Sequence, residues 1–460
     1  MERLSELDTF FLAGETATQH LQVLATMVLD HSGVPGGWNY ETFRTRVSER
    51  VHLVEPMIRR LQLSPLSRPM WVDDDDLHLD RHLHHLVLPG DGGLAALSDV
   101  VAEIASFPLP KDRPLWEAWF VEGISKEEVA IIAKIHHCAV DGVSGIYTLA
   151  EFFDLEPYPA PRAATVRPAP RARPKAWEVG RATVGDLMHR PESVVRGVWH
   201  LGHSAVAMAN GRSGPAPLPF SGPRQSYNRA LTPRRSVAFT TIQLEDIKKI
   251  RKNLGGSVND VLVALCAGIL REYAIDHGET PTRPLVAGVP VSERTPEHGS
   301  AGNRISFMFY SLPIHCADPA TRLSEVTRSA DATKELYERT GRGLLGSVAA
   351  LTPKAVVGPL MRLVSGMHVA DHTPPVANVI ISNIRGPELP LFVAGARLKT
   401  LFPMGPLLEG VGLGVTVVSH DDEVAIGFLG CEDHLPDIER LAEDTHLEVA
   451  RMLDAVAPTG

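Results

Sequence analysis

Lys134-Ile135-His136-His137-Cys138-Ala139-Val140-Asp141-Gly142 completes an apolar run rich in β-branched residues, Val129 to Ile135. Such a run reads as a buried strand, on which neighbouring side chains face opposite sides of the sheet. His136 and His137 therefore enter different environments, so one can reach a buried site while the other faces elsewhere. Asp141 adds a charge four positions after His137, and Gly142 permits a sharp turn. A histidine at the end of a buried strand suits a general base near neutral pH, with Asp141 orienting it or pairing with an arginine to lock the loop. A satisfied structural cluster, a surface feature and a metal site are the other readings of the same residues. Chelation is awkward for side chains that diverge from one strand.

The chain has 460 residues, beyond the usual size of a single core, so two domains are expected. A net charge of −10, from 55 acidic against 45 basic residues, argues against nucleic acid as a partner. Cys138, Cys266, Cys316 and Cys431 lack C-x-x-C spacing and read as reduced thiols, not as a disulfide framework or zinc site. The N-terminus shows no apolar signal segment. Apolar runs such as Val261 to Leu270 fall short of the ~20 residues that a membrane span needs. The expected location is the cytoplasm, with contact at a membrane surface at most.

Away from the histidines, helix-period and strand-period stretches alternate in both halves, which defines an α/β class with two similar layered domains. Strands are expected at 21–29, 57–63, 70–72, 116–122, 129–135, 235–244, 285–291, 305–312, 378–383, 398–402, 412–419 and 423–430. Helices are expected at 39–54, 94–107, 142–153, 184–209, 245–254, 257–273, 320–340, within 342–366, and at 435–455. Ser5 reads as the N-cap of a short helix carrying Leu7, Phe10 and Phe11. Pro, Ala and Arg crowd the stretch from Glu156 to Lys175, and Gly, Pro and Ser that from Gly211 to Pro223. The domains are accordingly placed at 1–155 and 226–460, with a linker or crossover at 156–225. Its basic residues read either as a solvated loop or as an attachment to anionic lipid head groups.

Several further residues carry two readings. Asp73 to Asp76, followed by His78, His82, His84 and His85, reads as a solvated loop entering a half-exposed strand; the histidines lack a compact ligand pattern, and no metal is expected. Trp116, in Pro114-Leu115-Trp116, either anchors a strand in the core or shapes a substrate channel. Asn259, in Ser257-Val258-Asn259-Asp260, belongs to a helix N-terminus, which both caps the helix and suits a developing oxyanion. Asp260 reads as a first-turn acid stabilising that helix. No G-x-S-x-G elbow is present, so a serine acyl-enzyme is not supported.

His136-His137-x-x-x-Asp141-Gly142 resembles the HHxxxDG motif of the CoA-dependent acyltransferase superfamily, which includes chloramphenicol acetyltransferase and peptide-synthetase condensation domains. Leu4-Ser5-x-x-Asp8-x-x-Phe11-Leu12 resembles the opening of the bacterial wax ester synthase/diacylglycerol acyltransferase family. So do Pro114-Leu115-Trp116, Ser257 to Asp260, Pro290-Val291-Ser292-x-Arg294, Gly302-Asn303 and Ser382-Asn383-Ile384-Arg385-Gly386-Pro387. These matches keep the family's order and span nearly the whole chain. The resemblance implies two chloramphenicol-acetyltransferase-like domains, mixed sheets flanked by helices, and an active-site tunnel between them. It implies a long-chain acyl transfer from acyl-CoA, with no bound cofactor, to diacylglycerol or a long-chain alcohol; another hydroxyl acceptor, or a lipid-binding protein without turnover, are the alternatives. His137 is implied as the general base, His136 as its support, and Asp141 as a brace paired with Arg294 or Arg304, with Gly142 allowing close approach of the chain. In the superfamily a strand of the second domain crosses towards the first near the site, which makes Ser382 or Asn383 candidates for substrate contact. Arg385 departs from the family's commoner small residue or proline. Peripheral contact on the inner membrane face or on lipid droplets is a further expectation.

Overall fold

Strand-period patterns of β-branched and aromatic residues build two six-stranded sheets. The structure, a computed structural model, describes residues 2–63, 68–140, 150–159, 216–292, 305–340, 354–387 and 389–456. In chain order the strands are β1 (Glu2–Arg3), β2 (Gln22–Asp30), β3 (Arg59–Gln62), β4 (Met70–Asp73), β5 (Leu83–Val87), β6 (Trp116–Glu122), β7 (Glu128–His136), β8 (Arg235–Gln243), β9 (Leu285–Ser292), β10 (Ile305–Leu312), β11 (Val379–Arg385), β12 (Phe392–Val393), β13 (Ala396–Met404), β14 (Leu413–His420) and β15 (Glu423–Cys431). The helices are α1 (Glu6–Gly14), α2 (Tyr40–Arg50), α3 (Gly93–Ala105), α4 (Leu244–Leu254), α5 (Val258–Asp276), α6 (Pro319–Thr340), α7 (Lys354–Gly366) and α8 (Glu439–Asp454).

The first sheet has the order β12-β13-β2-β7-β6-β5, and β7 lies inside it, antiparallel to both neighbours. Every residue from Val129 to His136 is buried. That is why the run before the histidines is continuously apolar instead of alternating: the strand is covered on both faces. The second sheet has the order β10-β9-β11-β14-β15-β8. α5 packs between α6 and α8 and is buried on almost all sides, as its nearly uninterrupted apolar sequence requires. Its start is held by a capping box: the Ser257 hydroxyl accepts from the Asp260 N–H, and the Asp260 carboxylate accepts from the Ser257 N–H. Asp260 is thus the first-turn acid expected.

The strand that crosses between the halves is β13, not the strand bearing Ser382 and Asn383. β11 stays in the second sheet, parallel to β14, with Ser382 opposite Thr416 and Asn383 opposite Val417. β13 pairs antiparallel with β2, from Arg397 opposite Asp30 to Met404 opposite Leu24. Pro387 and Pro390 end β11, and the chain then turns back through Ala394 (φ 48) and Gly395 (φ 92). Two consecutive positive φ values make a two-residue turn whose twist matches a hairpin, and β12 and β13 form that hairpin.

Other boundaries shift for local reasons. The helix expected at 39–54 splits into α2, capped by Asn39, and a 3-10 turn at Val51–Leu53; Pro56 disfavours helix just before it. The terminal helix begins only at Glu439, beyond Pro436. The two-residue strands β1 and β12 carry too few residues to show a period. The expected helix at 184–209, all but the end of that at 142–153, and most of the linker lie outside the described residues.

Candidate active site

β7 delivers the two histidines to different places. The His136 N–H donates to the Leu115 carbonyl on one side, and the His137 N–H donates to Leu21 on the other. His137 is 8% exposed, and its ring lies 4.7 Å from that of Phe11, at a tilt of 48°. It lines a cavity of about 540 Å³ between the two sheets. Phe11, Leu24 and Ile135 come from the first half; Pro290, Phe307, Ser382 and Thr416 come from the second; Pro403 and Met404 come from the crossing strand. The walls are mostly apolar, with Gln19, Ser382, Arg385, Glu409 and Thr416 as further polar residues on them.

His136 is fully buried. Its Nδ1 accepts from the Cys138 N–H at 3.1 Å, so the proton of a neutral ring sits on Nε2. That nitrogen faces the Glu15 carboxylate at 3.6 Å, which also pairs with Lys111. Burial alone would raise the pKa of Glu15. The adjacent His136 imidazole and the Lys111 ammonium outweigh it and hold the carboxyl at about 2. Glu15 was not legible as a functional residue, and its one signal is being the only formal charge between Leu12 and Leu21. Cys138, in the same turn, is buried, and burial pushes its thiol well above the ordinary range. That direction favours the neutral thiol over the thiolate that a nucleophile needs.

Because the folded pKa of Glu15 lies below its ordinary value of 4.5, its charged form stabilises the fold in full above about that pH. The contribution fades as the pH falls towards 2. At about 1.4 kcal/mol per tenfold change in proton affinity, the effect is roughly 3 kcal/mol. Glu15→Gln is therefore expected to lower the urea midpoint most near neutral pH, and the two proteins should converge towards pH 2. A gap independent of pH would contradict the pairing.

The remaining sequence candidates separate. Ser382 lines the cavity with Ile380 and Ile384, as alternation along β11 requires. Asn383 faces the other side, where its Nδ2 donates to Asn259 Oδ1 at 3.4 Å; neither asparagine lines the cavity. Trp116 is also off the cavity: it is buried, its Nε1 donates to the Met57 carbonyl at 2.9 Å, and its ring stacks on His82 at 4.4 Å. It anchors the core of the first half. His78 meets Asp76 and His85 meets Glu122, so that run of histidines disperses along loop and strand. Asp141, Gly142, Arg294 and Arg304 lie outside the described residues.

Two mixed sheets enclosing a cavity, with a histidine at the end of a central strand on its wall, define the condensation-domain and chloramphenicol-acetyltransferase-like class of folds. The first condensation domain of the CDA synthetase shares this fold, with a TM-score of 0.59 over 99% of this chain and 96% of that one, at 14% identity. The family model described as the wax ester synthase/diacylglycerol acyltransferase catalytic domain matches residues 4–262, and the WS/DGAT C-terminal domain matches residues 301–452. This chain belongs to the wax ester synthase/diacylglycerol acyltransferase family and is an acyltransferase of that family. A Mycobacterium tuberculosis protein provisionally named a diacylglycerol O-acyltransferase is 34% identical over 450 residues, covering 96% of this chain and 88% of that protein. A second protein of that organism, provisionally named likewise, is 33% identical over 93% of this chain and 91% of its own length. The wax ester synthase/diacylglycerol acyltransferase from Marinobacter aquaeolei VT8 has a TM-score of 0.70 at 25% identity, covering 98% of this chain and 99% of that one.

Proposed function

We propose that this acyltransferase moves a long-chain acyl group from acyl-CoA to the hydroxyl of a diacylglycerol, a long-chain alcohol, or both. The observation that carries the reading is His137 on the wall of an apolar cavity of about 540 Å³, within the roughly 300–1,000 Å³ of small-molecule sites. His137 takes the proton of the acceptor hydroxyl as its oxygen attacks the thioester carbonyl. The tetrahedral intermediate collapses, the C–S bond breaks, and the CoA thiolate leaves with the proton returned from the imidazolium. No covalent acyl-enzyme is needed. His136 supports the turn, Asp141 braces the loop beyond it, and Gly142 leaves room for the chain beside the base. The names of the mycobacterial relatives favour diacylglycerol as acceptor; that of the Marinobacter protein keeps the alcohol in view.

The test is a product assay with palmitoyl-CoA offered diolein and hexadecanol in parallel. Triacylglycerol, wax ester or both, formed with CoA release, is the expected outcome. CoA release with neither product, but with another hydroxyl compound acylated, would move the acceptor to a glycolipid, polyketide or xenobiotic. No transfer to any of them would overturn the reading.

Contact with a lipid surface follows from the same site. No single helix among the described residues is long and apolar enough to cross a membrane. α7, however, is apolar on two faces. Val357 is buried and Met361 reaches the cavity, while Val356, Leu360, Leu363 and Met367 form an exposed stripe. A helix that is apolar outside as well as inside suits the boundary of a lipid layer. Leu360→Asp with Leu363→Asp is expected to reduce flotation with diolein-containing liposomes. Unchanged flotation would remove α7 from the contact.

A further inference from the structure

We infer that His315, Cys316 and Glu325 form a binding site for one zinc-class divalent ion, remote from the acyl-transfer cavity. His315 Nε2 lies 3.5 Å from Cys316 Sγ and 3.7 Å from a Glu325 carboxylate oxygen. The three donor atoms all fall within 4.8 Å of one another. In a tetrahedral zinc site, with bonds of roughly 2.3 Å to sulfur and 2.0–2.2 Å to nitrogen and oxygen, adjacent donors stand roughly 3.3–3.7 Å apart. Two of the three edges of such a face are therefore already set. A thiolate, an imidazole and a carboxylate are also the donor types that zinc takes, and the thiolate and carboxylate together balance its charge.

The backbone that presents these groups is pinned. Arg271 donates to the Ile314 carbonyl at 2.7 Å, and Arg322 donates to the Cys316 carbonyl at 2.9 Å. Arg322 is itself buried and paired with Glu448. Glu325 lies one turn further along α6 than Arg322, on the same rigid element. Little ordering entropy is left for the ion to impose. All three residues are partly exposed, so an ion has access, and the fourth position is left to water. Cys316 is also the one thiol of the four that is not buried.

The site lies beyond Leu312, while Ile305 and Phe307, at the opposite end of β10, line the cavity. Five residues of strand, Met308 to Leu312, follow the last cavity-lining residue of β10, roughly 17 Å at about 3.3 Å per residue. The ion would therefore staple the end of β10, an edge strand, to α6, without entering acyl transfer. On binding, Cys316 gives up its thiol proton to solvent and a metal–sulfur bond forms. The ordinary alternative is a His315–Glu325 ion pair with a weak S–H hydrogen bond, which takes up no metal.

The full chain, reduced and stripped with chelator, is titrated with Co²⁺ and with Zn²⁺. One equivalent of Co²⁺ is expected to produce a near-ultraviolet thiolate-to-cobalt band, which zinc displaces, with about one proton released. Cys316→Ser is expected to abolish the band while the metal-free protein unfolds as before. Glu325→Ala is expected to weaken zinc by more than the roughly 10–100-fold that losing a hydrogen-bonded partner of a metal ligand costs. Absence of the band, its persistence in Cys316→Ser, or equal zinc affinity in Glu325→Ala would overturn the assignment.

Discussion

His137→Ala is expected to lower acyl transfer by roughly 10²–10⁴-fold, the range attributable to a positioned general base, while the protein keeps its fold. The imidazole faces a cavity, with the Phe11 ring on one side. Truncating it therefore enlarges a space that already exists instead of opening a void in the core. His136→Ala is expected to behave differently. That ring is fully buried, accepts from the Cys138 N–H and faces Glu15. Its loss leaves the buried Cys138 N–H without its acceptor and the Glu15 carboxylate with Lys111 alone, which costs stability. Product formation measured beside urea unfolding separates the two variants. Undiminished transfer in folded His137→Ala would end its assignment as base.

Glu448→Ala is expected to cost about 3–5 kcal/mol of folding stability, the usual result of removing one partner from a buried ion pair. Arg322 and Glu448 are both 1% exposed at the side chain, and the guanidinium donates directly to the carboxylate. Burial raises the pKa of Glu448 and lowers that of Arg322, against the attraction between them. Gly268 gives this pair its room: a Cβ there would overlap the Glu448 carboxyl. That is the packing reason for glycine inside a buried helix, where it costs about 1 kcal/mol relative to alanine. Replacing both partners, as Arg322→Met with Glu448→Leu, is expected to recover most of the loss, because no charge is then left buried alone. Equal destabilisation in the single and double variants, read from urea midpoints, would show that packing and not charge is at stake.

Much of this architecture was legible because it is written in local periods. β7 and β10 stand out as runs and lie within a residue of their expected places, and α5 stands out as a capped apolar helix that runs three residues beyond its expected end. Family membership rested on short motifs whose order survives along the chain. The features that escaped are those that depend on distant partners. Glu15 acquires its meaning from Lys111 and His136, about a hundred residues away. Asn259 and Asn383 are candidates for substrate contact in the sequence, yet they bond each other on the far side of β11. Their sequence neighbours do not reveal which sheet face a strand will turn to the cavity. Trp116 looks the same in sequence whether it lines a channel or fills a core. Its bond to Met57 and its stack on His82 hold it in the core of the first half.

The hairpin of β12 and β13 has a consequence for how the protein is made. β2 gains its second neighbour only when β13 reaches it. At a synthesis rate of roughly 5–20 residues per second, some tens of seconds pass between the emergence of Asp30 and that of Met404 from the ribosome. Throughout that interval one side of β2 presents unpaired N–H and C=O groups, a template for association with other chains. The usual order, in which the first domain is finished before the second begins, is closed to this chain. Its N-terminal sheet waits for β13, which is synthesised after β8 to β11 of the second sheet, and the two halves leave synthesis already interlocked.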